Sequence, residues 1–388
     1  MSKPTAARVQ SIDLLRGVVM VIMALDHVRD YFHADAFLYA PTDLEQTSVA
    51  VFLTRWITHY CAPVFVFLAG TSAWFIHQRK STKDTSLFLL KRGLWLVVVE
   101  CLIISFGWLF NPEYPRIGLQ VIWAIGVSMI ALSALVHLPL RWVAVVGAVL
   151  VFGHNALDDI HWENGLWYML HDRGSVELFG RYFFFAYPVL PWIGTMALGY
   201  AFGALYAKGY TPEVRRRLLL RLGLAATVLF LAVRFLNEYG DPRSWAVHGT
   251  ASFTVLSFLN LTKYPPSLLY LLMTLGPAIL FLAWSEKVKG WFADALIVFG
   301  RVPFFFYVLH IYLIHVLAML AAQLTGFGWE TMILDRPVWF SEELVGYGFS
   351  LPIVYLVWIG LVLALYPLCV WFDKLKSNNR QWWWLSYL

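Results

Sequence analysis

Charge is scarce in this chain. Of its 388 residues only 14% are Asp, Glu, Lys or Arg, while 60% are hydrophobic. A soluble domain holds about 25% charged and roughly 45–50% apolar residues, so a water-soluble globular fold is excluded. Cysteine is rarer still. Cys61, Cys101 and Cys369 lie within or beside apolar segments. No CxxC or Cys/His ligand spacing accompanies them, which predicts neither a disulfide framework nor a zinc site. Also missing are a phosphate-binding glycine loop, a dinucleotide fingerprint, HExxH and the GxSxG nucleophile elbow, together with the chemistries they serve. There is no internal repeat and no low-complexity linker, so residues 1–388 read as one domain. The net charge of +5 sits in short clusters between apolar runs. That pattern orients a membrane protein and does not point to a nucleic-acid partner.

Long apolar runs are what the chain does contain. Spans of roughly 18–22 residues cross a bilayer as helix. About ten are legible, at 12–32, 57–77, 93–110, 118–138, 140–155, 183–206, 218–236, 267–284, 295–321 and 350–372. The expected fold is therefore all-α and polytopic. Lys and Arg placement sets the orientation. With both termini cytoplasmic, the inner side holds Arg79, Lys80, Lys83, Lys91, Arg92, Arg141, Lys208, Arg215, Arg216, Arg217, Arg221, Lys287, Lys289, Lys374, Lys376 and Arg380. The outer side keeps only Arg55, Arg116, Arg173, Arg181, Arg243, Lys263 and Arg336. The outer loops, near 33–56, 156–182, 237–266 and 322–349, are long and rich in Trp, and loops of that length usually act. Residues 46–60 are expected to lie along the outer interface. Trp382, Trp383 and Trp384 read as an interfacial anchor, and the first segment as a retained span, since no cleavage site follows it.

A few polar groups interrupt the spans. The first, LLRGVVMVIMALDHVRDYF (14–32), holds Arg16, Asp26 and His27. Eleven residues are three turns plus about 20°, so Arg16 and His27 share a face, about 16 Å apart along the axis. Met20 and Met23 or Ala24 lie between them, and Asp13 and Tyr31 extend the stripe. A permanent cation, an apolar wall and an imidazole that exchanges protons near neutrality would suit an elongated amphiphile with its anionic head at Arg16. The plainer alternative is an arginine reaching the inner headgroups, paired with Asp13. Glu100 and His310 are the other intramembrane titratable groups, with His315 near the outer end of its span, and such residues normally face a cavity or a partner. Gln120 and Trp123 have similar standing. Gly199 and Gly203 read as a helix-packing face. Asn260, Lys263 and Tyr264 lie where the chain re-enters lipid ahead of Pro265 and Pro266. They are either interface anchors or groups aimed into the outer mouth of a cavity.

Four stretches, RVQSIDLLRGVVMVIMALDH (8–27), LQVIWAIGVSMI (119–130), SFLNLTKYPPSLLYLLMTLGP (257–277) and FGRVPFFFYVLHIYLIH (299–315), resemble a family of bacterial membrane proteins. These are similar to the catalytic domain of heparan-alpha-glucosaminide N-acetyltransferase, within a broader transmembrane acyltransferase superfamily. Its sugar O-acetyltransferases share an arginine, ten intervening residues and a histidine in the first span, matched here by Arg16 and His27. The resemblance implies a multi-pass inner-membrane enzyme that moves an acetyl group from cytoplasmic acetyl-CoA, without a metal, to a glycan or other small-molecule acceptor on the outer side. It implies His27 as the catalytic histidine and Arg16 as its partner or a CoA contact; beside that, Asp26 would orient or charge the imidazole, and Lys91 or Arg92 would join Arg16 on the CoA phosphates. Asn260, Lys263, Tyr264 and His310 are the acceptor-side candidates. The lysosomal enzyme aligns an asparagine with His27 and has its histidine later, so His33 competes for the role. General-base and acyl-histidine routes both stay open, as do a monomer and a homo-oligomer. A proton-coupled transporter and a non-catalytic membrane scaffold remain as alternatives of other classes.

Overall fold

The computed structural model describes residues 9–379, 381, 382 and 385. Of the tail anchor only Trp382 falls among them; Trp383, Trp384 and Arg380 lie outside the described residues. Helices dominate. The first is α1 (Gln10–Phe32), followed by α2 (Val49–Ile57), α3 (Cys61–His77), α4 (Thr82–Val99), α5 (Ser105–Leu109) and α6 (Val121–Leu135). Next come α7 (Leu140–Gly153), α8 (Gly165–Leu170), α9 (Leu190–Phe202), α10 (Pro212–Leu236) and α11 (Ala251–Leu259). The last four are α12 (Leu268–Ser285), α13 (Trp291–Arg301), α14 (Pro303–Leu324) and α15 (Leu351–Asn378).

Six helical segments are long and apolar enough to cross a membrane: Val49–His77, Leu140–Leu157, Pro212–Leu236, Leu268–Ser285, Pro303–Leu324 and Leu351–Asn378. Helix also covers the other four predicted segments, but each departs from the simple pattern. The helix α1 carries too many charges, and α6 is short. The segment after α4 passes through a π-turn, Glu100–Ile104, into α5. The predicted run 183–206 begins as a strand. The predicted run 295–321 is broken at Val302, where Pro303 starts a new helix. Residues 49–77 form one helical segment, in which a 3-10 turn at Thr58–Tyr60 joins α2 to α3.

Three strands, β1 (Arg116–Leu119), β2 (Gly174–Leu178) and β3 (Arg181–Phe185), form a small sheet in the order β1-β3-β2, which an all-helical expectation had missed. β1 and β3 are parallel; β2 and β3 form a hairpin in which Leu178 faces Arg181. Phe179 and Gly180 both take positive φ, the backbone that a two-residue hairpin turn with the twist of its strands requires.

The close helix crossings are made by glycine. A β-carbon on Gly17 of α1 would stand 1.8 Å from the Leu296 carbonyl oxygen of α13, and one on Gly300 would stand 1.8 Å from that of Asp13. These two helices therefore touch backbone to backbone. Gly70 of α3 and Gly199 of α9 meet in the same way, at 2.0 Å from Met196 O and Phe67 O. This accounts for Gly199, and Gly203 packs likewise on Trp74. Forcing a methyl group into such a crossing costs about 1–3 kcal/mol or more. Gly17→Ala and Gly199→Ala are each expected to lower the thermal midpoint in detergent. Gly153→Ala, whose added carbon would meet open space, should leave it unchanged.

Candidate active site

Four charges gather at the His27 end of α1, with Asp26, Arg29 and Asp30 on α1 itself and Arg55 on α2, and they settle one another. Asp26 forms ion pairs with Arg29, at 3.0 Å, and with Arg55 from α2; Arg29 also pairs with Asp30. Asp26 and Arg29 are almost fully buried. Two carboxylates and two guanidinium groups thus balance at the cavity wall, and α2 is clamped onto α1. Asp26 therefore spends its charge on arginines. The expectation that it orients the neighbouring imidazole finds no hydrogen bond to support it.

His27 is oriented from another helix. Its Nδ1 lies 2.8 Å from Nε2 of His310 on α14. The other ring nitrogen of His310, Nδ1, lies 3.1 Å from the carbonyl oxygen of Phe306, which can only accept. His310 Nδ1 therefore carries the proton, and its Nε2 accepts from His27 Nδ1–H. The remaining nitrogen of His27, Nε2, is left with its lone pair. The Trp108 ring stands edge-on to His27 at 4.9 Å between centroids. Next along the same helix pair, Tyr31 meets His315 at 3.2 Å.

His27 opens onto a cavity of about 610 Å³. The cavity draws on the end of α1 and on α2, the sheet, and the loops before α12 and before α15. Five of the seven basic residues assigned to the outer side line it: Arg55, Arg116, Arg173, Arg243 and Lys263. In sequence these looked only like a thin outer-side count. Arg55 is paired, as above. Arg116, Arg173, Arg243 and Lys263 have no carboxylate partner among the described residues. The sheet presents two of them, with Arg116 opening β1 and Arg173 directly before β2. A half-buried aspartate shapes the loop that presents Lys263. Asp241 accepts from Thr262 N at 2.8 Å, Ser267 Oγ at 2.6 Å and Arg243 N at 2.9 Å.

Lys263 and Tyr264 both line the cavity. The Tyr264 ring lies under the Arg173 guanidinium at 4.8 Å and the Lys263 ammonium at 5.2 Å, and its hydroxyl is 3.4 Å from that of Tyr187. Burial opposes ionisation of this phenol. Lys263, Arg55 and the Tyr187 hydroxyl outweigh burial and bring its pKa down to about 8. Asn260 lies apart: its amide donates to Thr42 O at 2.9 Å and ties two loops together. His310 reaches the cavity only through His27. His33, just beyond α1, also lines the cavity; its Nδ1 is 4.0 Å from Asp35 Oδ2, and burial holds its pKa below the ordinary value.

The inner residues are not brought to this cavity. Arg16 binds Asp13 at 3.3 Å, the Gly300 carbonyl at 3.2 Å and Ser72 Oγ at 3.2 Å. It does not line the cavity, and Met20, Met23 and Ala24 between it and His27 are packed in the core. The continuous slot expected along the face of α1 is thus closed by side chains. Lys91 is exposed on α4, and neither it nor Arg92 lines the cavity. Glu100 serves a helix end, since its Oε2 accepts from Trp123 N at 2.8 Å in the first turn of α6.

An apolar helical bundle thus holds a paired histidine, His27, at the wall of a cavity lined largely by charged and polar side chains. Residues 8–239 match the family model described as heparan-alpha-glucosaminide N-acetyltransferase, catalytic, and the chain belongs to that family. No match to an individual curated protein accompanies it. Family membership and the six apolar helices together support a membrane acetyltransferase.

Two outcomes test this geometry. Arg55→Ala leaves Asp26 short of a partner and is expected to cost about 3 kcal/mol, with much of the loss recovered on adding Asp26→Ala. The second concerns pH. The Tyr264 phenol titrates near 8 in the folded protein against 10.0 ordinarily. Its phenolate therefore adds stability that is complete above pH 10 and disappears as pH falls through about 8. Phenolate absorbance should show one tyrosine ionising near pH 8. That step should be lost in Tyr264→Phe and shifted upward in Arg173→Leu.

Proposed function

We propose that the protein transfers an acetyl group from acetyl-CoA to an amine or hydroxyl of a sugar-like acceptor bound in the outer cavity, with His27 as general base. The hydrogen-bonded His27–His310 pair carries this reading, because it engages Nδ1 of His27 and leaves the Nε2 lone pair of this cavity-lining residue to accept a proton. As the acceptor attacks the thioester carbonyl, Nε2 takes its proton. The imidazolium that forms is stabilised through Nδ1–H by His310. Collapse of the tetrahedral intermediate breaks the C–S bond, and the imidazolium returns the proton to the departing thiolate, so no net proton is consumed. A single histidine serves both steps without a metal. His33 has no comparable relay, which favours His27 of the two.

The four cations without carboxylate partners suit an acceptor that carries an anionic group, held while its nucleophile reaches His27. Donor entry from the cytoplasmic side, past Arg16, requires Met20 and Met23 to move aside. Multi-pass residence in an inner membrane, with both termini cytoplasmic and the cavity on the far side, completes the proposal and agrees with the positive-inside pattern.

The test is thiol release from acetyl-CoA by purified protein in detergent with an amino sugar present. His27→Ala is expected to reduce the rate by about 10²–10⁴-fold, the range of general-base catalysis. His33→Ala should stay within a few-fold of wild type. Full activity in His27→Ala, or its loss only in His33→Ala, would overturn the assignment. Lys263→Ala should raise the acceptor KM and leave the acetyl-CoA KM unchanged.

A further inference from the structure

At the outer end of α7, away from the His27 cavity, the chain gathers two more histidines and an aspartate. His154 and Asp158 flank a single turn after α7, and His171 closes α8. One candidate ligand atom from each lies within 4.8 Å of the others. His154 and His171 are buried, at 2% and 1% exposure. Neither ring nitrogen of His154 has a hydrogen-bond partner among the described residues, and Nδ1 of His171 has none. An imidazole buried with both nitrogens unsatisfied forfeits about 1–3 kcal/mol for each missing bond. Such a group calls for an explanation in what it faces. What it faces here is another imidazole, at 5.7 Å between centroids, and the carboxylate of Asp158.

We propose that His154, Asp158 and His171 bind one divalent transition-metal ion of the zinc class. Two imidazole nitrogens and a carboxylate oxygen are ligands of zinc character, and three protein ligands leave a fourth position for water. His171 Nε2 and Asp158 Oδ1 already stand 3.1 Å apart. Ligands at 2.0–2.1 Å around a tetrahedral ion are about 3.3–3.5 Å from one another, so the widest pair closes by roughly 1–1.5 Å, within reach of side-chain rotation. Asp158 is half-buried, which gives the water position access to solvent. Its second oxygen accepts from the Asn155 amide at 2.7 Å, the kind of outer hydrogen bond that fixes a metal-binding carboxylate. Asn155 in turn accepts from Leu268 N, at 2.8 Å, where α12 begins. The ion would therefore join the end of α7, the end of α8 and the start of α12. Arg173, two residues beyond His171, is the residue stacked on Tyr264. The site thus anchors one wall of the cavity without touching the reacting atoms, and it stands independently of the acetyl-transfer reading.

The experiment uses the full chain without a polyhistidine tag, stripped with chelator in detergent and dialysed against zinc. Wild type is expected to retain about one equivalent, to rise in thermal midpoint with zinc, and to show visible d–d absorption when cobalt(II) replaces it. Asp158→Asn and His154→Gln, with helix content and elution unchanged, are expected to lose both the stoichiometry and the midpoint shift. Substoichiometric zinc with no cobalt absorption in wild type overturns the proposal. So does wild-type binding by either folded variant. Should both variants unfold, the wild-type cobalt spectrum alone decides, since nitrogen and oxygen ligands in four-coordinate geometry absorb far more strongly than hydrated cobalt.

Discussion

Four charges at the outer end of α1 must neutralise one another, and the site takes its form from how they do so. A buried carboxylate without a partner is too costly to persist. Asp26 is drawn to Arg29 and Arg55, and Arg29 also to Asp30. This exchange locks α2 to α1 and forms the floor of the cavity. It also occupies the carboxylate next to His27. The imidazole then takes its orienting partner from α14, where a neutral acceptor leaves its outer nitrogen basic rather than permanently charged.

Above that floor the cavity is built by irregular chain. The sheet presents Arg116 and Arg173, and the Asp241-centred loop presents Lys263, so positive charge converges from segments far apart in sequence. Convergence of like charges without counterions raises the local potential and favours an anionic ligand. Beneath it α1 is packed with core side chains, which separate the cavity from the arginine at the other end of the helix.

Much of this was legible in the chain, and the misses have physical causes. His27 stood out because an imidazole in an apolar run demands a partner, and Lys263 and Tyr264 because they precede two prolines at the point of re-entry. The pairing with His310 did not stand out, since helical spacing relates residues on one helix and says nothing of two. Arg55, Arg116, Arg173 and Arg243 read as an orientation signal because their meeting point exists only in three dimensions. Phe183–Phe185 read as the start of a span because a run of aromatics is as apolar as a membrane helix. The turn at Phe179-Gly180, between short alternating flanks, was the overlooked strand signal. Arg16 was placed correctly on a helix but not on the cavity, because periodicity gives direction and not what fills the space between.

The crossing of Gly17 with Gly300 reaches further than packing. Each histidine of the pair sits ten residues downstream of its glycine, His27 on α1 and His310 beyond the break at Val302, and α1 and α14 run the same way, as the His27–His310 and Tyr31–His315 contacts show. Ten helical residues span about 15 Å. The carbonyl contact at one end therefore works as a zero mark on two parallel rulers, and the imidazoles are the graduations that must coincide. Any slip at the mark separates the two rings by as much, so the meeting of the two imidazoles is governed by the thinness of a residue with no side chain at all.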